Sequence, residues 1–314
     1  MTDGTSDAKA AAQGPWSVAI TGASGLIGAA LSARLTSAGH TVRPLVRDRA
    51  RARSGAIYWS PEHGELDAAA LEGVDAVVHL AGESVAGGRW TAARKARILD
   101  SRTAGTGLLA RTLARLSKPP RVLVSASAVG YYGDTGEREV DERAPRGEGF
   151  LAEVCEAWEG AAQPARDAGI RVVHPRLGVV LAARGGALER LVPLFRAGLG
   201  GRLGDGRQGF PWVALDDVLG ALEHALRDES LSGAVNVVAP AHTSNADLTR
   251  TLAAVLSRPA IVPVPGFALR LALGAMADEA LLHGQFVRPR VLEEHGFPFA
   301  QPELAAALRH LLRR

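Results

Sequence analysis

Val18-Ala-Ile-Thr-Gly-Ala-Ser-Gly-Leu-Ile-Gly-Ala-Ala-Leu31 decides how the rest of the chain is read. It reads as a short buried strand, a glycine turn and the first turns of a helix. Gly22 allows a sharp turn where a side chain would clash. Gly25 lets backbone approach a ligand, and Gly28 lets the helix pack closely on the strand. The helix directs its unpaired N–H groups and positive dipole end into that turn, which suits a pyrophosphate. A glycine triplet alone also fits an ordinary turn. Its place between an apolar strand and a helix points to dinucleotide binding, with Gly22, Ser24, Gly25, Leu26, Ile27 and Gly28 as the expected cradle.

Working outward, Thr41–Val46 reads as a second strand, and the residue after it is diagnostic. A carboxylate there would bond ribose hydroxyls, whereas an arginine would accept a 2′-phosphate. Arg47 comes first, with Arg43 nearby and Asp48 following, so NADP(H) is expected over NAD. The alternative is a solvated charge cluster at a strand end. Further on, Asp75 to Gly82 reads as a buried parallel strand whose small last residues, Ala81 and Gly82, would let a cofactor lie across the sheet edge. His79 within it reads as a core histidine. Trp90 to Leu116 is helical with a basic first half. The strand Arg121–Ala126 runs into Ser125-Ala-Ser-Ala-Val-Gly-Tyr-Tyr-Gly133, whose hydroxyls would meet a substrate or a nicotinamide, or simply cap local backbone. A helix over Phe150–Ala168 and strands at Ile170–Pro175 and Ala234–Val238 follow.

The alternation of strand and helix predicts an α/β fold, a Rossmann-type doubly wound parallel sheet with a smaller, mainly helical C-terminal lid. The expected division is a tail at 1–15, a nucleotide domain at 16–183 rejoined by 211–240, and a lid from 184–210 and 241–314. With 314 residues, 47% hydrophobic and 22% charged, the chain buries a large core and is not a disordered protein. A net charge of +3 without a dense Lys/Arg run argues against a nucleic-acid partner. The single cysteine, Cys155, excludes an internal disulfide and a cysteine-rich metal site, and no metal ligands are assigned. The first residues carry Asp3 and Asp7 and lack the apolar segment of a secretory signal. No run approaches the roughly 18 to 20 apolar residues of a membrane span. A cytoplasmic monomer or homodimer acting on a small molecule is expected.

The chain resembles the short-chain dehydrogenase/reductase superfamily, extended type, and more closely the atypical epimerase-family proteins of the 39U type. The matching residues are Thr21-Gly-Ala-Ser-Gly-Leu-Ile-Gly28, Leu80-Ala-Gly-Glu83, Arg89-Trp90, Ser101-Arg102 and Ser125 to Gly133. Gly200 to Gln208, Pro211-Trp-Val213, Leu281 to Gln285 and Pro289 extend the match to the C-terminal region. The resemblance implies NADP(H) binding by Gly22–Gly28, with Arg47 at the 2′-phosphate and Leu80, Ala81 and Gly82 along the cofactor. Arg102 is similar in position to an asparagine of typical members, and Ser127 to the superfamily's catalytic serine. Arg102 and Ser125 join the expected cofactor contacts.

The departure is on the helix from Phe150. Typical members carry Tyr-x-x-x-Lys there, a general acid/base and the cation that assists it; here Leu151 and Cys155 take those places. Ser127, Tyr131 and Cys155 are the candidate catalytic groups, although a helix cysteine without a nearby base also fits a core or cofactor-lining residue. Segments around Arg202–Trp212 and His283–Pro289 would select the substrate. Two functions are therefore expected in competition: an NADP(H)-dependent oxidoreductase or epimerase acting on a small, sugar-like carbonyl or hydroxyl compound, and a non-catalytic NADP(H) sensor.

Overall fold

A computed structural model describes residues 14–52 and 55–312, so the expected tail lies, up to residue 13, outside the described residues. The central sheet starts with β1 (Ser17–Thr21), whose Val18, Ala19 and Ile20 are buried. Helix α1 (Leu26–Ser37) returns over it and ends where Gly39, at φ +85°, accepts the left-handed conformation that closes a helix. Then come β2 (Thr41–Val46), β3 (Ile57–Ser60), β4 (Glu65–Leu66), β5 (Ala76–His79) and the long α2 (Ala92–Leu113), whose N-cap Thr91 accepts from Arg94 N–H. Strand β6 (Val122–Ser125), the short β7 (Ser127–Ala128), α3 (Phe150–Gly160) and β8 (Arg171–Leu177) follow. The expected helix to Ala168 breaks after Gly160; Pro164, which cannot donate within a helix, sits at the start of a separate turn over Gln163–Asp167. Next are β9 (Val179–Leu181), α4 (Gly186–Arg196), β10 (Trp212–Ala214), α5 (Leu215–Arg227), β11 (Gly233–Val237) and α6 (Asn245–Leu256).

The sheet runs β11-β8-β6-β5-β1-β2-β3-β4, parallel throughout except for the β3–β4 hairpin. Chain order therefore reverses between β1 and β5, and a crevice opens there at the carboxyl ends of the strands. Its two faces fill separate cores. Val18, Ile20, Val78 and Val124 pack against α1 and α5; Ala19, Val77, Leu123 and Val172 pack against α2. Alternation along each strand sends neighbouring residues to opposite faces.

A third core belongs to the lid. There Leu181, Leu188, Trp212, Leu252 and Leu308 meet. Among the described residues β9 and β10 pair with each other and not with the main sheet; Leu181, Trp212 and Ala214 face this core while Val213 faces the main one, to which α5 and β11 return. Several contacts tie the lid to the nucleotide region, among them the following two. Phe286–Val287 pairs with Glu139–Val140 in a small parallel sheet, and Glu279 Oε2 accepts the Leu151 N–H at 2.9 Å, capping the first turn of α3. Among the described residues no helix is long and apolar enough to cross a membrane.

Candidate functional site

The glycine turn sits at the crevice. Gly22 has φ +68°, and a Cβ on it would stand 3.0 Å from the backbone of Leu80 and Ala81. A Cβ on Gly28 would lie 2.2 Å from Gly22 O, so no larger residue lets α1 begin this close to β1. Gly25 is the N-cap of α1, with no side-chain cap and no acidic residue in the first turn. The N-terminal N–H groups are therefore left for a ligand. Ser24 and Gly25 are exposed; Leu26 and Ile27 are half-buried, and Leu26 lies under the Gly185–Gly186 turn of the lid.

Charges around β2 are sorted by their partners. Asp48 Oδ1 accepts the Ala50 N–H at 2.8 Å, capping the turn that follows. Arg49 pairs with Glu65 and lies over the Tyr58 ring, 4.1 Å from its centre. Arg47 is exposed and makes no hydrogen bond or ion pair to the described residues. The cation has no partner among the described residues and the carboxylate beside it holds the following turn through one oxygen, an arrangement that suits a phosphate at Arg47.

The crevice floor is held by Thr21. Its Oγ1 accepts the N–H groups of Leu80 and Ala81 at 3.0 and 3.2 Å and lies 2.7 Å from His79 Nδ1. Arg102 reaches the same floor from α2: a Cβ on Gly82 would be 3.4 Å from its Cζ. Its guanidinium donates to the carbonyls of Glu83 and Ile98 at 3.0 and 3.1 Å and lies over Trp158. Ser125 ends β6 fully buried, its hydroxyl without a partner among the described residues.

Beyond Ser125 the structure assembles a network that sequence reasoning missed. Ser127 Oγ donates to Glu159 Oε1 at 2.7 Å. Arg176 clasps the same carboxylate with two bonds, Nε to Oε1 at 2.8 Å and Nη2 to Oε2 at 2.9 Å. It also donates through Nη1 to the Tyr132 hydroxyl at 3.0 Å, which donates onward to Asn236 Oδ1 at 2.7 Å. Burial would raise the Glu159 pKa, but Arg176 and Ser127 outweigh it and hold the carboxyl below its ordinary value. Burial pushes Tyr132 up to about 12, so its phenol stays protonated. The signal was present: an arginine inside the apolar strand Val172–Leu177 requires a buried partner. Glu159 lies one helical turn beyond Cys155, on the same face.

The remaining candidates fall around this network. Cys155 is buried, its thiol raised to about 11 by burial and then by Glu159, and it donates to Ala128 O at 3.5 Å. Such a thiol is protonated at neutral pH, the state of a packing residue. Leu151 lies against Gly130. Tyr131 is half-buried with Arg176 Cζ 3.4 Å from its ring centre, and its hydroxyl has no partner among the described residues. The two lid segments meet beside it: Gln208 donates to Leu281 O at 2.9 Å, and Gln285 to Gly133 O at 2.6 Å.

Comparison with known proteins gives this geometry a context. Residues 18–238 match the NAD dependent epimerase/dehydratase family, and residues 264–311 match a domain of unknown function, DUF1731. The Mycobacterium tuberculosis "Epimerase family protein MT2273" is 46% identical over 297 residues, covering 95% of this chain and 98% of that one. The crystal structure of "human epimerase family protein SDR39U1 (isoform2) with NADPH" superposes with a TM-score of 0.88 at 36% identity, covering 95% of this chain and 99% of that one. A nucleoside-diphosphate sugar epimerase from Corynebacterium glutamicum superposes at 0.80 with 38% identity, over 95% of this chain and 58% of that one.

Proposed function

Because the chain belongs to the NAD dependent epimerase/dehydratase family, we propose that it binds NADP(H) and acts as an atypical oxidoreductase or epimerase on a small carbonyl or hydroxyl compound. The observation that carries the cofactor reading is the pairing of an uncapped helix start behind Gly22–Gly28 with an exposed Arg47 that has no partner among the described residues. The Gly22–Gly28 turn would hold the pyrophosphate, Arg47 the 2′-phosphate, and Leu80 to Gly82 the flat part of the molecule. The human relative solved with NADPH supports this assignment. When bound, such a cofactor supplies hydride transfer.

The chain's own groups supply position and the proton. Ser127 donates its O–H in the hydrogen bond to Glu159, so its oxygen offers only lone pairs to a newcomer. It suits a substrate hydroxyl better than a carbonyl. Tyr131 is the nearby phenol whose hydroxyl has no partner among the described residues, and Arg176 packs against its ring. We assign the proton exchange with substrate to Tyr131 and a positioning role to Ser127 and Glu159.

A second reading, a non-catalytic NADP(H) sensor, is favoured by α3, where Leu151 and the protonated Cys155 replace a phenol and an ammonium. Calorimetric titration with NADPH and with NADH tests the cofactor reading; binding of neither by the folded chain overturns it. Hydride exchange between bound NADPH and a carbonyl panel separates enzyme from sensor, which exchanges with none.

A further inference from the structure

We propose that His224, Asp228 and His295 form a binding site for a zinc-class divalent cation that clamps the C-terminal segment to the back of the nucleotide fold. His224 and Asp228 stand one turn apart at the end of α5, and His295 arrives from the residues that match the domain of unknown function. One ligand atom of each lies within 4.8 Å of the others. His295 Nδ1 is 2.7 Å and His224 Nε2 3.6 Å from Asp228 Oδ2.

Zinc takes imidazole nitrogen and carboxylate oxygen at about 2.0 to 2.2 Å, which separates tetrahedral ligands by roughly 3.3 to 3.5 Å. The His224–Asp228 pair already has that spacing, and the His295–Asp228 pair needs to open by roughly half an ångström. Two further observations point to a ligand. His224 Nε2 is buried and has no hydrogen-bond partner among the described residues, although it faces the carboxylate at 3.6 Å. Asp228 is held in place from behind, its Oδ1 accepting the Ser230 N–H at 2.9 Å and also the Ser230 hydroxyl, which leaves Oδ2 directed at the two imidazoles. The carbonyls at the end of the helix are met by Arg171, which donates to Ala225 O and Leu226 O at 2.9 and 3.1 Å and, just beyond the helix, to Leu231 O at 2.8 Å; the Asp228 carboxylate, an acceptor only, has no part in that cap. Two imidazoles and one carboxylate suit zinc or cobalt better than calcium or magnesium, which prefer oxygen alone.

The position defines the effect. Helix α5 runs antiparallel to the strands and Asp228 lies in the short turn before β11, so the site lies at the amino edge of the sheet. The glycine turn is at the opposite, carboxyl edge. A cation here would fasten a segment that starts at 264 to the core built on Val218 and Leu222 without touching the cofactor crevice.

The test is titration of the full chain, stripped with a chelator, with Co2+ and Zn2+, followed by calorimetry, the visible spectrum of bound Co2+ and thermal unfolding. One equivalent is expected to bind, with a tetrahedral Co2+ spectrum and a rise in the unfolding temperature. H224Q and H295Q are each expected to weaken binding at least tenfold while NADPH binding stays as in the parent. H224Q serves if H295Q unfolds, because the His224 Nε2 has no hydrogen bond to lose among the described residues. Absence of stoichiometric binding, or binding that H224Q leaves unchanged, overturns the proposal, the latter showing an adventitious cation only. Neither outcome bears on the cofactor reading, which the NADPH titration measures in the same sample.

Discussion

Thr21 Oγ1 lies 2.7 Å from His79 Nδ1, and the surrounding donors fix the direction of that bond. The threonine oxygen already accepts from the N–H groups of Leu80 and Ala81, so its one proton goes to His79. His79 is therefore the neutral tautomer with the proton on Nε2. One hydroxyl joins three atoms of the crevice floor, linking the end of β1 to the loop after β5. Thr21→Val keeps the shape and removes all three bonds, leaving the half-buried N–H groups of Leu80 and Ala81 and the buried His79 Nδ1 unpaired. A loss of about 3 kcal/mol is expected, read from urea unfolding, with Thr21→Ser recovering most of it.

The same histidine makes stability depend on pH. His79 is lowered to about 4 by burial and then by Arg102, and His174 to about 4, again first by burial. The unfolded chain protonates its histidines near 6.5, so between pH 6.5 and 4 it binds more protons than the folded one. Stability is complete above that window and falls as pH drops through it, by up to about 3 kcal/mol per histidine. His79→Asn, which keeps an acceptor for Thr21, should flatten the slope between pH 7 and 5. An unchanged slope would assign it elsewhere.

Arg47→Ala is expected to weaken NADPH binding by about 10- to 100-fold, the worth of a charge-assisted hydrogen bond. NADH, lacking the 2′-phosphate, should be nearly unaffected. Equal losses for both cofactors, measured by calorimetry, would remove Arg47 from the phosphate site.

The parts legible in the sequence were local. Val18–Thr21, Gly22–Gly28 and α1 lie in one run of chain whose periodicity and glycines constrain each other, and the strand bounds found there agree to within a residue or two. The parallel sheet follows from repeating that pattern. What stayed hidden was non-local. Ser127, Glu159, Arg176 and Asn236 come from four elements, and only the register of β7 against β8, Ser127 beside Arg176, brings the first three together. His224 and Asp228 meet His295 across some seventy residues, a spacing no motif describes. The pairing of β9 with β10 outside the main sheet was equally beyond reach, because a short apolar run does not say which sheet it joins.

Arg176 and Glu159 make a prediction that separates burial from charge. Both side chains are largely buried, at 4% and 14% exposure, so removing one strands the other. Arg176→Met alone is expected to cost about 3 to 5 kcal/mol, whereas Arg176→Met with Glu159→Gln should recover much of that loss. If Glu159 positions Ser127 for substrate, Glu159→Gln should also lower turnover while NADPH affinity stays constant. A purely structural pair would lower stability without that split.

Gly25 and Gly28 look alike in the motif, yet their alanine variants should fail in different ways. A Cβ on Gly28 would press into Gly22 O at 2.2 Å, backbone that cannot yield without moving α1 off β1. Gly28→Ala is therefore expected to lower stability by more than 2 kcal/mol and to lose both cofactors together. Gly25 has φ −78° and ψ 173°, angles open to alanine, and its Cβ would meet Gly22 O at 3.3 Å, a contact that a small shift relieves. Gly25→Ala should fold with nearly parental stability. Its methyl group would instead occupy space in front of the first N–H groups of α1, where the pyrophosphate is assigned. Affinity for NADPH and NADH should then fall by similar factors, unlike the selective loss at Arg47. Undiminished binding by a folded Gly25→Ala variant would mean that the phosphates do not approach this turn.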